Sequence, residues 1–303
     1  MKRTLITGLD IWKRKGPFWP VKLIARASLN TLHHLPRGMM VEATQRCTGN
    51  CRGCKPTINP VDLKPELLSA WLGCRPCKPV TLHFSGKHSD PLAAPELSRL
   101  VAIAGQNSSM VSVSTIGLGF QPGHEGLKVD RWIFSLPAAT GPSWEAIRGR
   151  DRMAEVLLAV RTVKSAGKSM VELVLTVWRQ SASDLDAFRE LAGNMRADSA
   201  KAVFGRFDPE GFHVGRTENL ELDSQGCPYR LDGTGSPELK REPAGCPLAG
   251  CLFLDAEGVL RPCPFTGDDA PFERTPSTGA WKTARGWKAL KNGRPFSACR
   301  YCW

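Results

Sequence analysis

The chain has 303 residues, 41 Lys and Arg against 29 Asp and Glu, 11 cysteines and a formal net charge of +12. That length buries a full core as one large domain, or as one domain with a small companion. A hydrophobic share of 42% beside 23% charged residues excludes wholesale disorder, and no apolar run approaches the roughly 18 residues of a membrane span.

The charge sits at the ends. Residues 1–55 carry a net +9, residues 281–303 a net +6, and the stretch between them −3. A mildly acidic body between two basic ends disfavours a nucleic-acid binder. Met1–Leu5 leads into no sustained apolar stretch with a cleavage site, so a signal peptide is not expected. Many cysteines without an export signal suit metal or iron–sulfur ligation in a reducing, cytoplasmic setting better than disulfides. Residues 1–38 form a basic N-terminal arm containing an apolar-basic stretch, Val21–Leu32. Three readings compete for it: an amphipathic helix in peripheral contact with an anionic membrane, a dock for a partner or acidic substrate, or a helix packed across the fold with its charges solvated.

Six strands are expected, at Met39–Thr44, Val80–Gly86, Met110–Thr115, Arg131–Pro137, Val171–Val177 and Lys201–Phe207. Each is rich in β-branched or aromatic residues and bounded by Gly, Pro or Asp. Helical spacing falls at Pro65–Leu72, Pro95–Ala104, Arg152–Ala166 (ending at Gly167) and Asp184–Met195, the last capped by Ser183. Strand–helix alternation predicts an α/β protein of parallel units. Six units are too few to close an eight-fold barrel, and the pattern leaves a partial barrel and a doubly wound sheet both open. Beyond about residue 208, Gly, Pro and Cys become dense and helical periodicity stops. The expected division is the arm at 1–38, a barrel-like domain at 39–215 and a small cysteine-rich α+β module at 216–303.

Cys47, Cys51 and Cys54 form C-x3-C-x2-C directly after the first strand, where α/β proteins build their sites. Three thiolates on so short a loop suit three irons of a [4Fe–4S] cube with the fourth iron open. A partial zinc site or buried free thiols are the alternatives; zinc usually wants four ligands in paired spacing.

From this triplet to about residue 210 the sequence resembles the radical S-adenosylmethionine superfamily. Ser85-Gly86-Lys87-His88-Ser89-Asp90-Pro91-Leu92 resembles the family's glycine-rich second-strand motif, Ser114-Thr115-Ile116-Gly117 its third-strand turn, and Ile133–Leu136 with Ile147-Arg148-Gly149 its fourth-strand serine and downstream Arg-Gly. The resemblance implies a partial (β/α)6 TIM-like barrel. It implies a cluster on Cys47, Cys51 and Cys54, and S-adenosylmethionine held by Ser85, Gly86, Asp90, Thr115, Ser135 and Arg148. Gly53 stands where the family places an aromatic, and Lys-His-Ser lengthens the second motif before Asp90. Reductive cleavage of S-adenosylmethionine to a 5′-deoxyadenosyl radical is the implied chemistry, with an external reductant such as flavodoxin or ferredoxin. No acid or base for it is singled out.

The C-terminal Cys227, Cys246, Cys251, Cys263, Cys299 and Cys302, with a hairpin expected around Glu257-Gly258, suit a zinc ribbon or an iron–sulfur cluster equally well when taken alone. They resemble the SPASM/Twitch module of the same superfamily. The resemblance implies one auxiliary [4Fe–4S] cluster drawing its ligands from Cys246, Cys251, Cys263, Cys299 and Cys302, and hence two clusters in all. A cluster fully ligated by protein cannot bind S-adenosylmethionine and is suited to take or relay an electron.

Cys74 and Cys77 form a third pair, on the face away from the site, where free thiols or adventitious metal binding are expected. The leading expectation is an oxidoreductase acting on a peptide or a small polar substrate. The alternative is a maturase of a ribosomally made peptide, in which a partner or the basic arm does the work of a leader-binding domain. From another class, a non-enzymatic iron–sulfur electron carrier would need no such cavity.

Overall fold

The computed structural model describes residues 15, 17–33, 35–49, 57–86, 89–177, 179–204, 229–231, 237–239, 251–264, 272–277 and 280. Helix α1 (Trp19–Leu32) is followed by β1 (Gly38–Val41), α2 (Pro65–Gly73), β2 (Thr81–Phe84), α3 (Leu97–Asn107) and β3 (Met110–Thr115). Then come β4 (Arg131–Leu136), α4 (Gly141–Arg148), α5 (Met153–Ala166), β5 (Met170–Val177), α6 (Leu185–Asn194) and β6 (Ser199–Phe204). The short strands β7 (Tyr229–Leu231) and β8 (Pro237–Leu239) pair with each other, and β9 (Cys251–Leu254) and β10 (Leu260–Arg261) close the described elements.

Strands β1 to β6 pair in chain order, all parallel. Parallel crossovers are right-handed almost without exception, so strands laid down in sequence send their helices to one face. A doubly wound sheet would reverse its order partway; this one does not. Alternation along each strand separates the two faces. Met39, Val41, Leu82, Phe84, Val113 and Phe134 are fully buried on the helix side. The opposite face carries Met40, His83, Ser112, Arg131, Ser135, Glu172, Thr176 and Lys201. It is the polar inner wall.

Each expected strand is present: β3 keeps its expected bounds, β1, β5 and β6 begin one or two residues earlier, and β1, β2, β4 and β6 end sooner. One local expectation is corrected: Asp184, rather than Ser183, is the N-cap of α6, without capping it through its side chain. Helix α4, which the sequence reading did not include, opens on Gly141-Pro142-Ser143, where Pro suits a first helical turn.

Within the region expected to be a separate module, β9 pairs parallel with β1, and β10 pairs antiparallel with β9. This hairpin extends the main sheet. Its turn is fixed by the Asp255 side chain, which accepts from the Glu257 and Val259 N–H groups. Gly258 takes φ +82° there, and a Cβ on it would meet Leu67 of α2 at 2.8 Å. The indole of Trp71, also on α2, donates to the Gly258 carbonyl at 2.9 Å.

Helix α1 lies against the amino ends of the strands. Trp19 donates to the Ser109 carbonyl, Asn30 to the Lys78 carbonyl, and Lys15 pairs with Asp130 at 2.7 Å. Of the three readings for the arm, packing across the fold describes this side of the helix. Its outer side exposes Phe18, Val21, Ile24 and Leu32. Among the described residues no helix is long and apolar enough to cross a membrane.

Candidate functional site

The site is assembled at the carboxyl ends of the strands. The loop after β1 is pinned at its feet: Arg46 Nε lies 3.1 Å from both oxygens of Asp62, Leu63 N–H donates to the Ala43 carbonyl, and Gln45 N–H to that of Val61. Cys47 stands exposed on this loop and accepts the Gly49 N–H at 3.3 Å. Cys51 and Cys54 lie outside the described residues, as do Lys87, His88, Cys227, Cys246, Cys299 and Cys302. Among the described residues no three His, Cys, Asp or Glu side chains gather to hold a metal ion.

Three expected cofactor residues converge beside that loop. The Asp90 carboxylate is buried and accepts the Leu92 N–H at 2.9 Å, the Ile116 N–H at 2.7 Å, and the Thr115 hydroxyl at 2.7 and 2.9 Å. Its own N–H donates to the Arg46 carbonyl. Burial pushes the Asp90 carboxyl up, against those donors and the positive charge of Arg148. Its acceptor capacity is thus spent on joining the β1 loop, the β2 turn and the end of β3. Thr115 also accepts the Gly117 N–H at 2.9 Å. Arg148 is the last residue of α4, whose helix is stopped by Gly149 at φ +76°. Its Nη1 would be 2.9 Å from a Cβ on Gly49, so it lies against the cysteine loop.

Ser85 and Gly86 close β2. The chain turns so sharply that a Cβ on Gly86 would be 2.6 Å from the Ser89 carbonyl oxygen. Only glycine leaves that cradle open. Ser135, on the inner wall, lies 3.3 Å from the Thr176 hydroxyl. A turn without side chain, an arginine beside the cysteine loop and a serine on the inner wall suit a cofactor carrying a carboxylate, an ammonium and a ribose.

Two supports were not foreseen from sequence. Asp184 accepts the Ala139 and Thr140 N–H groups at 2.8 and 3.1 Å and the Ser143 hydroxyl at 2.9 Å, anchoring the start of the helix that presents Arg148. On the inner wall, Glu172 pairs with Arg131 at 3.3 Å and with Lys201 at 2.7 Å. A lone acid inside the apolar run Val171–Val177 is the signal that marks it.

At the far end of the sheet, Cys251 begins β9, and continuing the β9–β10 register places Cys263 opposite it. Burial raises the Cys251 thiol. Cys74 and Cys77 flank Arg75, whose guanidinium donates to the Asn30 side chain and to the Pro36 and Cys77 carbonyls. Burial raises the Cys77 thiol too, which makes it a poor nucleophile.

No family model matches the chain. A PqqA peptide cyclase from Streptomyces rochei is 33% identical over 311 residues, spanning 88% of this chain and 81% of that protein. Among solved structures, Streptococcus suis SuiB bound to S-adenosylmethionine has a TM-score of 0.63 at 10% identity, over 92% of this chain and 74% of SuiB. SuiB has also been solved bound to its precursor peptide SuiA, with a TM-score of 0.62 at 11% identity over 92% of this chain and 72% of that one. anSMEcpe with bound AdoMet has a TM-score of 0.59 at 11% identity over 84% of this chain and 82% of its own. The structures share the fold, and the identity to the cyclase extends over most of both proteins: the chain belongs to the radical S-adenosylmethionine family that includes the PqqA peptide cyclase.

Proposed function

We propose that this protein is a radical S-adenosylmethionine enzyme that modifies a peptide. The observation that carries the reading is the similarity to a PqqA peptide cyclase over 88% of the chain. The inner wall supports it, carrying His83, Ser112, Arg131, Glu172, Thr176 and Lys201 on the face that also presents Ser135. The maturase reading is therefore preferred to action on a small polar metabolite.

On a [4Fe–4S] cluster at Cys47, Cys51 and Cys54, bound S-adenosylmethionine supplies hydrogen abstraction by a carbon-centred radical. The chain's own residues do the positioning. Gly86 leaves its backbone accessible, Arg148 presents a cation beside the cysteine loop, and Ser135 offers a hydroxyl from the inner wall. Asp90 and Thr115 fix the loops that carry these groups. The partial barrel of residues 39–215 houses this site.

We assign residues 216–303 to the auxiliary module, with its [4Fe–4S] cluster among Cys246, Cys251, Cys263, Cys299 and Cys302 accepting or relaying an electron during net oxidation. The reductant is external, a flavodoxin or ferredoxin. We assign a peripheral membrane contact to the exposed apolar side of α1, with Val21, Ile24 and Leu32, and place the enzyme in the cytoplasm.

Anaerobic reconstitution with iron and sulfide counting tests the reading. The expected result is about eight irons and reductive formation of 5′-deoxyadenosine. The triple change of Cys47, Cys51 and Cys54 to Ala abolishes that cleavage. Changing Cys299 and Cys302 spares it while blocking peptide turnover, followed by mass spectrometry as loss of hydrogen from the peptide. Bound zinc without cleavage overturns the assignment.

A further inference from the structure

Around Glu172 the inner wall holds more positive charge than that acid needs. Glu172 is only 8% exposed, and a buried carboxylate requires a cation close by. It has two, Arg131 and Lys201, on the strands at either side of it. One carboxylate between two cations leaves a net charge of about +1. His83, 2.8 Å from the Ser112 hydroxyl on the same face, is neutral at physiological pH and does not alter the balance.

Donors are also left over. Arg131 Nε lacks a hydrogen-bond partner but is sealed from solvent, so Arg131 contributes charge and Lys201 is the cation open to an incoming group. Lys201 has three N–H donors, and its side chain is 57% exposed. Position completes the case. Ser135 pairs in register with Val174, and Val174 with Lys201. Lys201 is therefore two strands, about 10 Å, from Ser135 on the same face. The surplus cation lies beside the cofactor residues, within reach of whatever occupies the inner wall.

We propose that Arg131 and Lys201, held apart by Glu172, form an anchoring site for a carboxylate of the substrate. The inference rests on the peptide-modifying reading and adds the chemical class of one contact. The carboxylate comes from an acidic side chain or from the end of a chain, because both present the same two oxygens to the paired cations.

The test is a titration of the reconstituted protein, followed by ligand-observed NMR, with three small probes: N-acetylglutamate N-methylamide, its glutamine counterpart and N-acetylglycine. The expected result is that a carboxylate probe binds at least about tenfold more tightly than the neutral glutamine probe. Preference for the glutamate probe identifies a side chain as the source, and preference for N-acetylglycine identifies a chain end. Lys201→Met abolishes the preference and Lys201→Arg restores it, a rescue that a purely structural lysine would not give. No binding, equal binding of charged and neutral probes, or unchanged selectivity in Lys201→Met overturns the proposal. Formation of 5′-deoxyadenosine in the same samples is scored separately. Cleavage without carboxylate preference removes this site alone, whereas preference without cleavage removes the enzymatic reading alone.

Discussion

Arg148 lies so close over Gly49 that a Cβ at Gly49 would come within 2.9 Å of its Nη1. The same Cβ would come within 2.7 Å of Ile116 Cδ1 and 3.2 Å of Cys47 Sγ. Gly49 is thus required by space. The absent side chain lets the guanidinium from the end of α4 settle against the cysteine loop. Gly49→Ala is expected to push Arg148 or Cys47 aside and to slow 5′-deoxyadenosine formation by about tenfold, ~1.4 kcal/mol of barrier. Gly49 is itself buried, so the melting temperature is recorded beside the rate, and a rate loss larger than the matching fall in stability marks displacement of Arg148. Gly105→Ala in α3, where a Cβ meets nothing within 4 Å, is the matched control and should leave the rate unchanged. Equal rates in all three proteins would remove Arg148 from the site.

Asp90 acts on the site through the loops it joins. Asp90→Asn replaces one acceptor oxygen with an N–H2 donor facing the Ile116 or Leu92 N–H. Loss of such a buried hydrogen bond costs about 1–3 kcal/mol. Thr115→Val removes the hydroxyl that both donates to Asp90 and accepts the Gly117 N–H, with a cost of about the same size. Because the two residues share one network, the double variant should cost less than the sum of the singles. Urea denaturation of the four proteins measures this coupling, and strict additivity would show the network to be energetically idle.

The strands were legible because each is a short β-branched or aromatic run closed by a turn residue. The carboxyl-end placement of the cysteine triplet followed from strand–loop order alone. What sequence hid depends on contacts distant in the chain. Nothing local in Asp90 shows that it accepts from Thr115 and Ile116, nor in Asp184 that it accepts from Ala139 and Ser143. Arg131, Glu172 and Lys201 stand on three separate strands, and only parallel register brings them together. The arm had three readings because an amphipathic helix looks the same in sequence whatever covers it.

The β9–β10 hairpin should unfold with the main sheet. Trp71→Phe removes the indole bond to the Gly258 carbonyl, at a cost of about 1 kcal/mol. Gly258→Ala forces a side chain into a left-handed turn, costing about 1–2 kcal/mol, and drives its Cβ toward Leu67. Both variants should lower the one cooperative transition followed by near-UV circular dichroism. A new, earlier transition with the main one unmoved would show that the hairpin folds apart from the sheet.

Stability should also respond to His83 as the solution is acidified. Burial first, then the charge of Arg131, pushes this imidazole down to about 4, with Glu172 opposing. In the unfolded chain its pKa returns to about 6.5. Between those values the unfolded state binds the proton and the folded state does not. Stability from this group is therefore fully present above about pH 6.5 and is lost as pH falls toward 4. Between pH 7 and pH 5 the loss amounts to about 2 kcal/mol. His83→Gln keeps a polar group beside Ser112 and cannot titrate. Its unfolding free energy, measured in urea at both pH values, should fall by about 2 kcal/mol less than that of the parent. The difference between the two proteins cancels the other histidines, and equal losses would place His83 in contact with solvent.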